Sequence, residues 1–378
     1  MIAKRNDFPV WLACFAVATF LSQSDCASGA IITITDPALS IQGFINAASA
    51  GDTIRLGSGT YNQKFDLTSK QLFVMSLAGP DVTIVNAGGN GTAITMTGNG
   101  SVVEGLTITG GNAASGAGIN IGGGSISSSI RNNIFQNNSQ IAGGYGAAIG
   151  GNSSSPLIEN NVFRGNTSDS QFSSGVVSFV NNSSPQITNN LFYDNTSRAI
   201  NLGLPAEANP VVVNNTIDGN SVGIRVDRRV NSISYVIRNN IITNNGIGLE
   251  VDFGTEANNP TFQNNLVFGN TTNYDVIANQ TGLNGNISAN PSFINVVGND
   301  FRLSFGSPAI DAGSSVGAPI RDFLGNPRPI DGNGDGIARP DIGAFEVIPE
   351  PSGALVGFAV AGVIVLGARK SRSIDPAA

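Results

Sequence analysis

Histidine is absent from the 378 residues, and cysteine and tryptophan are nearly so. Without histidine the chain cannot form Ser-His-Asp triads or Cys-His dyads, and it cannot build ordinary histidine zinc sites. The two cysteines, Cys14 and Cys26, lie in an N-terminal stretch that we expect to be removed, so the mature chain would hold no thiol or disulfide. Catalysis through a histidine base is therefore excluded.

Charged residues are also scarce, at 12% of the chain, and acidic ones prevail, with a formal net charge of −7. The charges of the expected leader cancel and the tail from Glu350 carries +1, so the mature form would be at about −8. An acidic chain with few lysines has no electrostatic surface for nucleic acid. Its charge also disfavours polyanionic glycans, unless Ca²⁺ bridges them to the protein.

The first 29 residues have the order of a secretory signal peptide. Lys4 and Arg5 form a basic start, and residues 11–21 are apolar but too few to span a bilayer. Small residues at 27–29 suit a signal peptidase. We therefore expect residues 1–29 to be a signal peptide and the protein to be exported, to the cell surface or the medium.

Residues 348–378 place three features in a fixed order: Pro349-Glu350-Pro351, an apolar run from Gly353 to Ala368, and a basic cluster of Arg369, Lys370 and Arg372. The apolar run would cover about 24 Å of a bilayer, with the basic cluster on the cytoplasmic side. This order resembles the PEP-CTERM sorting signal. The resemblance implies a transient membrane anchor, an exosortase-type sorting enzyme as partner, and cleavage near Pro349-Glu350-Pro351. A plain single-pass anchor is the alternative.

Pairs of asparagines recur through the middle of the chain, in phrases such as IRNNIF, IENNVF and ITNNLF. The spacing between pairs is 25 to 29 residues, and a period of this size is typical of a solenoid with one structural unit per repeat. The second asparagines of the pairs are Asn133, Asn161, Asn190, Asn215, Asn240 and Asn265.

Each repeat contains three short runs rich in β-branched residues, separated by Gly, Asn and Pro, which predicts three strands per coil. The pattern favours an all-β, three-faced parallel β-helix over residues 30–288. Asparagine tolerates the left-handed backbone of a sharp corner, and coils stacked about 4.8 Å apart would let the side-chain amides form a ladder. We therefore interpret these asparagines as structural.

Ahead of the first coil, Ile41, Phe44, Ile45 and Ala48 have helical spacing and predict a short amphipathic helix that caps the open end of the solenoid. Together with the phrase AGPDVTIVNAGG, this stretch resembles the N-terminal part of pectin-lyase-like proteins. The resemblance covers most of the chain and implies a right-handed β-helix. It implies no particular activity, because this scaffold carries lyases, hydrolases, epimerases, adhesins and inert surface proteins.

Residues 289–347 have a different character, with the words NPSF, DFRL, GSPAIDAG and DIGAFE. These words resemble the choice-of-anchor Q domain found at the C-termini of exported bacterial β-helix proteins. The resemblance implies attachment and no chemistry of its own.

Within that segment, Asp331, Asn333 and Asp335, followed by Gly336, have the spacing of the first ligands of an EF-hand loop. The closing glutamate of that motif is replaced by Ile342, and Asp341 lies one position earlier. We therefore name Asp331, Asn333, Asp335 and Asp341 as a possible Ca²⁺ site, with a polar turn as the alternative. No other cofactor is expected.

One pair of repeats could carry catalysis. A shift of 25 residues places Arg225 beside Glu250 and Asp227 beside Asp252, with all four side chains pointing out of the coil. Asp227 and Asp252 could hold Ca²⁺, and Arg228 or Arg229 could act as the base in the β-elimination of a polysaccharide lyase, as the pectate-lyase-like class does. The alternative is a surface ion pair worth less than about 1 kcal/mol.

The sequence therefore favours an exported β-helix protein without enzymatic activity. Its role would be structural, adhesive or polysaccharide-contacting, so an extracellular polysaccharide is a possible partner. The alternatives are a Ca²⁺-dependent polysaccharide lyase of the pectate-lyase-like class and an inert surface-layer component.

Overall fold

The structure is a computed structural model, and it describes residues 29–67, 70–123, 127–169, 174–203, 208–227, 235–252 and 260–349. Within these ranges the chain is a parallel β-solenoid of about nine coils, with strands on three faces. This confirms the prediction of a three-faced parallel β-helix.

The first face is a sheet of ten strands in which every neighbouring pair is parallel. Each strand is one coil further along the chain than its neighbour. The strands are β1 (Ile31–Ile34), β2 (Thr53–Leu56), β5 (Phe73–Ser76), β8 (Val102–Glu104), β12 (Ser129–Arg131), β16 (Leu157–Glu159), β19 (Gln186–Thr188), β22 (Val211–Val213), β25 (Val236–Arg238) and β28 (Thr261–Gln263).

The second face is a parallel sheet of nine strands. Its members directly follow the asparagine pairs in the coils where these occur. They are β3 (Gly59–Tyr61), β6 (Thr83–Asn86), β9 (Thr107–Thr109), β13 (Ile134–Gln136), β17 (Val162–Arg164), β20 (Leu191–Tyr193), β23 (Thr216–Asp218), β26 (Ile241–Thr243) and β29 (Leu266–Phe268).

The third face is also a parallel sheet of nine strands and carries the charged residues singled out above. Its strands are β4 (Phe65–Asp66), β7 (Ile94–Met96), β11 (Ile119–Ile121), β15 (Ile149–Asn152), β18 (Val177–Val180), β21 (Arg198–Gly203), β24 (Val222–Asp227), β27 (Ile247–Asp252) and β30 (Thr272–Asp275). Strands β10 (Asn112–Ser115) and β14 (Ser139–Tyr145) form a small parallel pair, and β31 (Phe293–Asn295) and β32 (Asp300–Leu303) an antiparallel one.

The core lies inside the coils, where side chains at equivalent positions of successive coils stack in columns. Phe135, Phe163 and Phe192 are fully buried and lie on successive strands of the second face. Their rings stack with centroids 5.0 and 4.5 Å apart. Because register is exact between coils, an inward position in one repeat predicts an inward position in the next.

The corner between the first and second faces is built by the asparagine pairs, and the two members have different roles. The first member takes the left-handed conformation that lets the chain turn, as at Asn132 (φ 57°) and Asn189 (φ 54°). The second member points inward and is buried, as Asn133 and Asn190 are. The sequence analysis did not separate these two roles.

The second asparagines form the amide ladder that the spacing predicted. The side-chain amide of Asn190 donates to Asn215 Oδ1 at 3.0 Å, and its own Oδ1 accepts from the backbone and side-chain amides of Asn161. The same amide also donates to the Ile158 carbonyl in the preceding coil at 2.9 Å. The pattern continues from Asn133 to Asn265, where Asn286 receives the last bond at 3.1 Å.

A second amide ladder occupies the corner between the second and third faces, and the sequence analysis missed it. Its residues are Asn138, Asn166, Asn195, Asn220, Asn245 and Asn270, joined by side-chain bonds of 2.9 to 3.1 Å. The residue before each is a left-handed Asn, Gly or Asp. Because that residue varies, the dipeptide at this corner does not repeat in the sequence. Its asparagine does repeat, five positions after each asparagine of the first ladder.

The N-terminal end is capped by helix α1 (Ile41–Ala47), as predicted. Ser40 caps its first turn by accepting from the Gly43 amide, and Ile41 and Ile45 are fully buried against the first coils. Lys70 donates to carbonyls of its last turn, including that of Ala48 at 2.8 Å. The helix therefore covers the coil edge that would otherwise be open to strand pairing.

Replacing one ladder asparagine should destabilise the rod. In Asn190→Ala the Asn161 amides and the Ile158 carbonyl lose buried partners, at about 1 to 3 kcal/mol for each unsatisfied group. We expect a lower urea midpoint and a loss of several kcal/mol in unfolding free energy. Asn62→Ala is the control, since Asn62 is exposed and its Oδ1 accepts one side-chain bond, from Asn86. Equal midpoints for the two variants would contradict a stabilising role for the ladder.

Candidate functional site

The charged residues of the third face lie on β21, β24 and β27, side by side on consecutive coils. Arg225 is aligned with Glu250, and Asp227 with Asp252, so the register inferred from the sequence is confirmed. Ile224 and Val226 point into the core, which turns Arg225 outward. The side chain of Arg225 is nevertheless only 1% exposed, so it is not the surface residue that we expected.

The burial of Arg225 is balanced by neighbours on both adjacent coils. Its guanidinium Nη2 lies 2.7 Å from Asp252 Oδ2, and Nη1 donates to Asn201 Oδ1 at 2.9 Å. Glu250, the aligned residue, is further away, with Oε1 at 3.9 Å from Arg225 Nε. The main ion pair is therefore diagonal, and the expectation of a simple cross-strand pair between Arg225 and Glu250 was incomplete.

Glu250 is shared between two arginines, one on each of the two preceding coils. Its Oε2 accepts from Arg198 Nε at 3.3 Å while its other oxygen faces Arg225. We name the five residues Arg198, Asn201, Arg225, Glu250 and Asp252 the charged cluster. Because two guanidinium groups face two carboxylates, the cluster is close to neutral, and an isolated buried charge is avoided.

Of the four residues named for lyase chemistry, the structure describes only the two carboxylates. Asp252, one of the two carboxylates named for Ca²⁺, is bound by Arg225, and Asp227 is fully buried. The proposed bases, Arg228 and Arg229, lie outside the described residues. In the part of the chain that the structure describes, no three His, Cys, Asp or Glu side chains are grouped to hold a metal ion.

The C-terminal segment, residues 289–349, is fastened along the first corner by the outward-pointing asparagines. In four consecutive coils the first asparagine of the pair donates its side-chain amide to a backbone carbonyl of the segment. The bonds run from Asn189 to Arg321, from Asn214 to Asp341 and Gly343, from Asn239 to Ser314, and from Asn264 to Ala312, at 2.8 to 3.1 Å.

Apolar contacts reinforce this attachment. Ile342 and Ala309 pack on Ile241 and Leu266 of the second face, and a further cluster joins Phe345 to that face through Leu191. Gly343 has φ of 100°, and a side chain there would meet Ile241 within 2.6 Å. A glycine at this position lets the two backbones approach closely enough for its amide to donate to the Asn239 carbonyl at 2.8 Å.

A fully buried ion pair lies within the C-terminal segment, against the first corner of the solenoid. Arg328 Nε is 2.6 Å from Glu346 Oε1, both side chains have no exposure, and Arg328 also donates to Asn189 Oδ1 at 2.8 Å. Asp341 is beside this pair and accepts from the amides of Asp311 and Val347. Burial, followed by the negative charge of Glu346, raises the pKa of Asp341 to about 7.

The loop that resembles an EF-hand is closed by its own backbone. Asp331 accepts from the amides of Gly334, Asp335 and Gly336 at 2.8 to 3.1 Å, and Asn333 Oδ1 accepts from the Asp335 amide. Asp341, the fourth ligand named from the sequence, is buried elsewhere with its two oxygens already bonded. The structure therefore does not bring Asp341 to the other three, and Ca²⁺ binding by the loop stays a prediction.

The model of the right handed beta helix region matches residues 80–232 and 177–301, which together span more than half of the 378 residues. The chain belongs to the right-handed β-helix family. A comparison with curated proteins found no match to this β-helix protein.

Solved structures are similar to this β-helix protein at low identity. Pectate lyase Pel9A is 16% identical, with 86% of this chain and 98% of that chain covered and a TM-score of 0.42. The pectin methylesterase from Aspergillus niger is 11% identical, with 70% and 92% covered and a TM-score of 0.41. Because both TM-scores are below 0.5, no conclusion about this chain is drawn from these likenesses.

The predicted targeting segments of this β-helix protein are mostly outside the described residues. Residues 1–28 of the predicted signal peptide are outside, as are Glu350, Pro351 and the apolar run after them. Pro349 is the last described residue and is exposed. Within the described ranges no helix is long and apolar enough to cross a membrane.

Removing Arg225 should leave Asp252 and Glu250 without a shared counter-charge. For Arg225→Ala we expect a loss of roughly 3 kcal/mol in unfolding free energy, in the range for breaking a buried ion pair. Arg302→Ala is the matched control, because Arg302 pairs with Asp300 at an exposed site and its removal should cost much less. Urea unfolding of both variants measures the difference, and equal losses would contradict a structural role for the buried arginine.

The buried carboxylate of Asp341 should make stability depend on pH near neutrality. Because its pKa is higher in the folded than in the unfolded chain, folding favours the protonated acid. Its contribution is complete below about pH 4 and is lost as the pH rises through about 7. Burial also raises the pKa of Glu346, although Arg328 opposes it, so Glu346 acts in the same direction.

The measurement is carboxyl ¹³C NMR combined with thermal unfolding from about pH 5 to about pH 8. We expect Asp341 to titrate near 7 and the melting temperature to fall across the same interval. Asp300 is the internal control, because its hydrogen bond to Arg302 lowers its pKa. An ordinary acidic titration of Asp341 would show that the segment does not bury it.

Proposed function

We propose that this protein is an exported β-helix rod, displayed on or released from the cell surface, with a structural, adhesive or polysaccharide-contacting role. One observation carries the proposal. The C-terminal segment is bonded to four consecutive coils and ends at Pro349, directly ahead of the apolar tail. A force on that tail is thereby distributed over several coils instead of one strand.

The sorting part of the proposal rests on the sequence of the tail. The Pro349-Glu350-Pro351 motif, the apolar run and the basic cluster would be recognised by an exosortase-type enzyme, which would cleave near the motif after transient membrane anchoring. Under this proposal residues 1–29 direct export, residues 30–288 form the rod, residues 289–347 attach it, and residues 348–378 are the sorting signal.

A role without catalysis is supported by the ion pairs within the charged cluster. The carboxylates of Glu250 and Asp252 are held by arginines at 2.7 to 3.9 Å, and the buried guanidinium of Arg225 is bonded on both sides. Such a cluster stabilises stacked coils and does not present an open pair of carboxylates for a bridging cation. The outer face is then a surface for contact.

Deleting residues 348–378 should change the location of the protein. In a host with an exosortase-type system, we expect the intact chain to pass through the membrane fraction to the surface, and the truncated chain to be released without membrane association. Glu350→Ala is the matched variant, because it alters the motif and keeps the apolar run; it should accumulate in the membrane fraction. Identical fractionation of all three chains would contradict the sorting proposal.

Incubation with a panel of acidic glycans, with and without Ca²⁺, separates contact from cleavage. We expect retention of the protein on one or more of these immobilised glycans only when Ca²⁺ is present, with no ultraviolet absorbance from unsaturated uronate products. Arg225→Ala should melt earlier but should not change product formation. Appearance of unsaturated products with the intact chain would establish the lyase alternative in place of the proposed role.

A further inference from the structure

The C-terminal segment carries an unusual share of the exposed apolar side chains. Of the sixteen large hydrophobic residues that are exposed in the described part of the chain, nine lie between residues 289 and 349. They include Phe305 at 82%, Leu324 at 57% and Ile348 at 57% exposure. An apolar surface concentrated in one place marks a contact site more often than scattered residues do.

These three residues line one cleft together with the end of the described chain. The cleft has a volume of about 800 Å³, and Phe305, Leu324, Ile348 and Pro349 are among its walls. We name it the exit cleft, because Pro349, the last residue that the structure describes, lines it. Its two charged lining residues are already paired, Arg302 with Asp300 and Glu346 with Arg328. Covering the cleft with an apolar partner would therefore not desolvate an unpaired charge.

The exit cleft lies close to where the tail would enter a membrane. Three residues separate Pro349 from Gly353, the start of the apolar run, and the four Cα-to-Cα steps span at most about 14 Å when extended. If the run crosses a bilayer, its outer end fixes Pro349 near the headgroups. The exposed apolar residues beside Pro349 are then within reach of the interfacial layer, into which amphipathic surfaces insert by about 5 to 10 Å.

We propose that the exit cleft, with Phe305, Leu324 and Ile348, rests on the lipid surface while the tail is anchored. This inference depends on the proposed membrane anchor and adds a second contact to it. The occupant is the lipid interface. The tail itself does not fit: a helix of its sixteen apolar residues would be about 24 Å long and about 10 Å wide, larger than the cleft encloses.

The contact would fix the orientation of the rod before sorting. A single membrane segment allows the rod to tilt freely, whereas a second point beside it holds the segment against the surface. The motif at Pro349-Glu350-Pro351 would then be presented to a membrane-embedded sorting enzyme at a constant height. Because the segment is bonded to four coils, the rod would share that orientation.

The test uses a tryptophan as a depth probe, since Trp11 in the predicted leader is the sole tryptophan of the chain. In a Trp11→Phe background, Phe305→Trp places one fluorophore in the exit cleft. Ile141→Trp is the matched control, an exposed apolar position in the middle of the rod. Leu324→Trp samples the same cleft if the first variant folds poorly. The full chain is reconstituted into phosphatidylcholine vesicles, and flotation is measured alongside fluorescence.

We expect the emission of Phe305→Trp to shift to shorter wavelength on vesicles and to be quenched by brominated phosphatidylcholine, with neither effect for Ile141→Trp. Flotation with vesicles but no shift or quenching at position 305 would overturn the lipid contact and leave the anchor intact. Emission that is already shifted without vesicles and is not quenched by the lipid would overturn it in favour of the tail or a second copy. Failure to float would remove the anchor and the contact together.

Discussion

The paired asparagines of the corners both turn each coil and join it to the next, with one member of the pair in each role. In each ladder the amide nitrogen donates to the following coil, and the amide oxygen accepts from the preceding one. Each bond is a modest net contribution, but a buried amide without partners would be costly. The ladders therefore permit little alternative stacking, and the inward columns of Phe, Ile and Val follow from the register that the ladders fix.

The corners also explain how much could be read from the sequence. The period, the strands, the capping helix and the first ladder followed from letters that repeat at nearly constant spacing. The second ladder was missed because its preceding residue alternates among Gly165, Asp194, Asn244 and others, all left-handed but not identical. Backbone conformation repeats there although the sequence does not. A search for any residue able to adopt positive φ, followed by Asn, would have found it.

The charged cluster and the C-terminal segment show a different limit. The repeat spacing predicted the alignment of Arg225 with Glu250. The closer ion pair of Arg225 with Asp252, and the burial of Arg225, depend instead on side-chain packing across coils. The attachment of residues 289–349 to Asn189 and Asn264 joins parts of the chain that are 48 to 132 residues apart. No local pattern encodes such a contact. Asp341, named from the sequence as a possible Ca²⁺ ligand, is part of this buried junction.

The two halves of the rod differ in their tolerance to a change of length. Between Asn133 and Asn161 the corner carries no contact with the C-terminal segment among the bonds above, so an additional repeat there would only extend the stack. Between Asn189 and Asn264 the segment spans four coils at fixed spacing, and an inserted repeat would separate its fastening points by about 4.8 Å. Evolution of longer or shorter relatives would then proceed by gain or loss of N-terminal repeats, while the C-terminal half keeps its count.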